Sequence, residues 1–110
     1  GLNETLTEYI NEFVMDIDYP SEIYCGYQPA VVRLKQILNF NIEGFDTDSL
    51  IRGYFNNDET GMRSAIDRVM GNGYFDNRFI PAFDEAAIDY KFKNIDEVVR
   101  EIALRIGGIN

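Results

Sequence analysis

The sequence predicts a mainly α or α+β protein, a compact bundle of four to six helices with at most a small sheet or hairpin. Two observations carry this. Apolar residues recur at spacings of three and four in segment after segment, and most of these segments end at a Gly, Pro, Asn or Asp that stops or caps a helix. Alternation of the strand kind is confined to short stretches. With 110 residues, 45% of them hydrophobic, and eight Phe and seven Tyr spread along the length, residues 1–110 are expected to form a single domain around one core. A natural chain begins with Met, so Gly1 is expected to be an appended residue.

The first helix is predicted from Leu6, Ile10, Phe13 and Ile17, with Asn3 as its cap and an end before Tyr19-Pro20. Ile23, Cys25 and Tyr27 alternate as in a short extended piece, although a loop fits nearly as well. Pro29 suits the first turn of a second helix with Val31, Leu34, Ile37 and Leu38 inward, ending near Asn39-Phe40-Asn41. After a turn at Gly44, Asp46 or Asp48 caps a short helix carrying Leu50, Ile51, Tyr54 and Phe55, broken at Asn56-Asn57-Asp58. Met62, Ala65, Ile66, Val69 and Met70 describe the next helix, closed by Gly71-Asn72-Gly73. Tyr74 to Pro81 reads as an aromatic loop packed on the core. Residues 86–93 carry both patterns: Phe83 to Ala87 suits a helix start, whereas Ile88, Tyr90 and Phe92 alternate as in a strand. The last helix takes Asn94 as cap, Ile95, Val99, Ile102 and Ile106 inward, and Gly107-Gly108 as stop.

Catalytic chemistry finds little support. The chain has no histidine, which removes Ser-His-Asp and Cys-His machinery and His-ligated zinc. Its one cysteine, Cys25, makes neither an internal disulfide nor a thiolate metal site and reads as a small hydrophobe. No glycine-rich phosphate loop is present. Asn56, Asp58, Thr60, Gly61 and Asp67 trace a degenerate calcium loop, but position one lacks a carboxylate, and Asp58 as a helix cap explains the same residues more simply. No catalytic residue, cofactor or metal is therefore assigned. The absence of a long apolar run, of a basic leader and of paired cysteines predicts a cytoplasmic protein that enters no membrane.

Charge is the informative feature. The formal net charge is −9, which repels nucleic acid and steers a basic protein toward the surface. Residues 1–32 hold six acids and no Lys or Arg, whereas residues 33–110 hold thirteen acids and ten bases. Glu4, Glu8, Glu12 and Asp16 follow at a spacing of four, which lines their carboxylates up in one helical stripe. Like charges so placed repel, at a cost on the order of a few tenths of a kcal/mol per pair. Elsewhere, Glu59–Arg63, Arg63–Asp67, Asp96–Arg100 and Glu101–Arg105 are set up to neutralise each other along a helix. The stripe reads either as part of the fold, a solvated helix face or a row met by Arg33, Lys35 or another distant base of this chain, or as a surface kept for Lys and Arg of another molecule. On the second reading the binding residues are Glu4, Glu8, Glu12, Asp16, Asp18 and Glu22. Tyr24 joins them as a tyrosine of the kind enriched at interfaces.

The run Leu50-Ile51-Arg52-Gly53-Tyr54-Phe55-Asn56-Asn57-Asp58 is similar to a leucine, small-residue, Tyr-Phe, polar, Asp run in immunity proteins of bacterial contact-dependent growth inhibition systems. In those proteins a His-Gln pair often occupies the place of Asn56-Asn57. The chain also resembles them in size, acidity and lack of catalytic apparatus. The resemblance implies a toxin-neutralising protein whose partner is a basic toxin, in many such systems a nuclease with a basic cleft. An acidic adaptor or nucleic-acid mimic that binds a basic protein is the alternative expectation.

Overall fold

In the computed structural model, residues 2–11, 28–88 and 91–107 are described. Among them the chain is mainly α, with α1 at Leu2–Tyr9, α2 at Gln28–Leu38, α3 at Thr47–Phe55, α4 at Thr60–Met70, α5 at Ile80–Ile88 and α6 at Lys93–Gly107. A π-helical segment, Phe75–Phe79, runs directly into α5. No strand occurs among the described residues. The strand pattern of residues 86–93 therefore loses to helix at least as far as Ile88. The extended piece predicted near Cys25 lies outside the described residues. The Cα radius of gyration is 13.3 Å, matching the roughly 13 Å that a compact chain of about 100 residues adopts.

Each helix starts and stops for a local reason. Pro29 sits in the first turn of α2, where its missing N–H costs nothing. The chain leaves α2 through Asn41, whose φ of 57° is the left-handed value that asparagine tolerates, and turns again at Gly44, φ 86°. Asp46 then caps α3: its Oδ1 accepts from Ser49 N at 2.9 Å, and Ser49 Oγ accepts from Asp46 N at 3.0 Å. Asn57, φ 53°, breaks the chain before α4. Asp58 contributes there by accepting from Thr60 N at 3.1 Å, but the N-cap position is Glu59, whose side chain makes no capping bond, so Asp58 is not itself the cap.

Four further expectations are corrected. Asn3 is not a cap, because Leu2 is already helical. Asn94 is not one either, because α6 begins at Lys93 and the Asn94 side chain is held between Glu85 and Arg78. Tyr74 to Pro81 is helical rather than a loop: both oxygens of Asp67 accept from the turn that opens it, from Gly73 N at 3.2 Å and Phe75 N at 2.8 Å. The wide turn then closes with Ile80 N–H on Phe75 O. Pro81, having no N–H to donate, falls at the junction where the helix changes period. Finally, the inward face of α6 is Ile95, Val98 and Ile102 with Val99 partly buried against the core, whereas Ile106 is 41% exposed. Phe55 of α3 likewise turns out to solvent, 57% exposed.

The core is aromatic at its centre. Phe75 stacks on Phe79 at 5.2 Å, Phe79 meets Phe83 at 5.0 Å, and Phe45 approaches the Phe79 ring edge-on at 5.9 Å. All four rings are fully buried, with Ile10, Leu34, Leu50, Ile66 and Ile95 around them. This places α5 and the π-helical segment in the middle of the molecule, with α1, α2 and α6 packed about α5 and α3 against α4.

Candidate partner-binding surface

The acids of α1 do not stand in one solvent-facing row. Glu4 is half-buried in the first turn, and Glu8, one turn on, is only 4% exposed and engages groups within the chain. A carboxylate so covered cannot meet a partner's guanidinium without opening the helix packing. Glu8 therefore leaves the set of contact residues predicted from spacing. The reason is that α1 packs on α2, α3 and α5 at once, so its buried arc is broad enough to take in Thr5 and Glu8 beside Leu2, Leu6 and Tyr9. Glu12, Asp16, Asp18, Glu22 and Tyr24 lie outside the described residues.

In the rest of the molecule, three arginines bind acids across elements. Arg33 of α2 holds Asp96 of α6 through Nε at 2.9 Å and Nη2 at 3.4 Å, with its guanidinium 4.9 Å over the Phe92 ring. Arg63 of α4 grips Asp76 with Nε and Nη2, each at 3.1 Å, and keeps Glu59 at 3.7 Å. Arg78 of the π-helical segment reaches Glu97 at 3.0 Å and Glu101 at 3.4 Å on α6. Tyr74 donates to Glu101 at 2.7 Å. Burial pushes the Tyr74 hydroxyl well above its ordinary value, and the Glu101 carboxylate adds to that. At Glu101, burial acts to raise the pKa, but the hydrogen bonds from Tyr74 and Arg78 outweigh it and hold the carboxyl below its usual range. Of the pairs expected along single helices, Glu59–Arg63 forms; Asp96 and Glu101 turn instead to arginines of other elements.

A different set of acids remains outward. Glu43, Asp46 and Asp48 are exposed, lie within six residues that contain no base, and make no ion pair among the described residues. Arg68, from α4, approaches only the backbone carbonyl of Glu43. Glu43 and Asp46, together with Lys35, line a groove of about 550 Å³ between the end of α2 and the start of α3, which Leu38, Ile42, Phe45 and Tyr9 also line. The hydroxyls of Tyr9 and Thr47 meet there at 3.3 Å. Asp58, at the far end of α3, is exposed as well, and its bonds to Thr60 hold its pKa low, aided by the charge of Arg52. The signal for this second acidic region was present in the sequence, three acids in Glu43 to Asp48, but the longer stripe in residues 1–32 dominated the count.

The described residues bring no three Cys, Asp or Glu side chains together as a metal site. Asp67, which the calcium register places at position twelve, spends both oxygens on the turn before Phe75. No described helix is long and apolar enough to cross a membrane. No family model, curated protein or solved structure matches the chain.

Proposed function

We propose that this protein is an immunity- or antitoxin-like inhibitor. It acts by binding rather than catalysis, in the cytoplasm, and neutralises a basic toxin, by resemblance a nuclease, through an acidic surface. The observation that supports this reading most is the division of the acids. Those of α6 and the π-helical segment are bound by Arg33, Arg63 and Arg78, whereas Glu43, Asp46 and Asp48 are left outward without ion pairs among the described residues. Asp46 also caps α3 and Asp48 stands in its first turn, so both serve the fold, but exposed like charges in addition raise the association rate with a basic surface by a factor of about 10 or more. Glu4, Glu12, Asp16, Asp18, Glu22 and Tyr24 stay among the proposed contact residues on the sequence pattern alone, with Glu8 withdrawn.

The test begins with capture from the native lysate at low salt and release by a salt gradient. The purified partner is then assayed for toxicity and for its association rate. An inhibitor blocks that toxicity, and Glu43→Lys with Asp48→Lys lowers the association rate by about tenfold. A partner whose activity is untouched by saturating protein would overturn the inhibitor reading and favour the adaptor.

A further inference from the structure

Among the described residues, the large apolar side chains most open to solvent are Val32, Leu104, Ile106 and Phe55, and of these Phe55 is the most exposed at 57%. Its setting also differs. The ring lies edge-on to Tyr54, with centroids 4.9 Å apart and planes at 81°. It ends an outward strip on α3, because Asp48, Arg52 and Phe55 stand four and three residues apart and all are exposed. Asp58 lies just beyond, and Asp46 and Glu43 continue the acidic side past the start of the helix. Arg52 is the strip's one base, and its field acts on Asp58. These four acids and the exposed aromatic, with Arg52 in the strip and Arg68 and Lys35 near Glu43, make a surface that is apolar at one point and net negative.

A Phe ring left partly in water forgoes part of the stabilisation that burial would give it. An exposed aromatic bordered by charge is the arrangement of an interface anchor, where the ring fills a pocket and the rim selects the partner by sign. We infer that the outer edge of α3 is a docking surface for a basic segment of a partner protein, with Phe55 as its anchor and Asp48 and Asp58 as the charges that choose lysine and arginine flanks. This rests on the reading of the protein as a binder of a basic partner, and it assigns that binding to a particular helix. The groove on the other side of Asp46 then lies at the rim of the contact rather than at its centre.

The probe is a phage library of random dodecapeptides, selected on the purified full chain. Selection is expected to enrich peptides with Lys or Arg flanking a Leu, Phe or Trp. Phe55→Ser is expected to weaken the best of them about tenfold or more, while Val32→Ser, a comparable loss of exposed apolar surface on α2, leaves affinity unchanged. Circular dichroism confirms that both variants fold, and peptide-induced amide shifts concentrate in residues 46–58. Enrichment of peptides without basic flanks, binding that ignores Phe55→Ser, or no enrichment over the bare support would each overturn the inference. The result is independent of toxicity: a Phe55-dependent basic peptide stands even if the inhibitor reading fails, and an inhibitor indifferent to Phe55 leaves that reading intact without this surface.

Discussion

Replacing Glu8 with lysine is expected to unfold the protein before it alters any encounter with a partner. Glu8 is enclosed where α1 meets its neighbours, and a new ammonium there is a buried charge facing groups arranged around a carboxylate. The loss is expected at about 3 kcal/mol or more, read as a lower midpoint in urea unfolding. Glu4→Lys, half-buried at the favourable end of the same helix, is expected to cost about 0.5 kcal/mol. The contrast shows what a spacing of four conveys: it places carboxylates on one line along a helix, but whether that line faces water depends on how many neighbours the helix has. Asp46 was legible as a cap because its partner, Ser49, is three residues away. Asn94 was not, because its partners Arg78 and Glu85 come from other elements.

For the elements, two side chains test why the helices meet as they do. Asp67→Ala removes the acceptor for two backbone N–H groups, those of Gly73 and Phe75, and is expected to destabilise the fold by about 2 kcal/mol. Hydrogen exchange should then quicken first in residues 73–79. Gly53 of α3 is buried where the helix crosses α4, and a Cβ built there would overlap the Met62 methyl. That methyl is the free end of a flexible side chain and can swing aside, so Gly53→Val is expected to cost only about 1 kcal/mol, visible as a slightly lower melting temperature. That contact also explains a small residue ahead of Tyr54-Phe55 in physical terms. Helix positions were readable wherever an apolar period coincided with punctuation, as in α2, α3 and α4. The π-helical segment was not, because glycines at 71 and 73 and Pro81 are loop signals, and the period of its aromatic residues differs from 3.6.

Over the whole molecule, stability should fall on the acid side. Glu101 and Asp58 titrate lower in the folded chain than in the unfolded one, so their contribution is complete above about pH 4.5 and is lost as pH drops through the folded values. Tyr74 acts in the opposite direction. Its raised value gives a contribution that is full below about pH 10 and declines above it. A thermal-melt series across pH should show both shoulders, and Tyr74→Phe should remove the alkaline one. The mainly helical bundle was legible because it rests on periodicity. The acidic surface was legible as an excess of charge but not as a place, since Arg33 and Asp96 are 63 residues apart and no local pattern joins them.

The wide turn at Phe75–Phe79 also sets how the chain tolerates changes in length. A π turn is an α-helix carrying one extra residue, so deleting Asn77, which is exposed, would let the backbone continue as regular helix. Every residue before the deletion would rotate by about 100° relative to α5. Phe75 would leave the Phe79 ring, and the carboxylate of Asp67 would lose its donors. A deletion that improves local hydrogen bonding is thus expected to be among the most damaging in the protein. The spacing between α4 and α5 is fixed to the residue, whereas a residue added in the exposed Asn56–Asp58 turn changes only a connection.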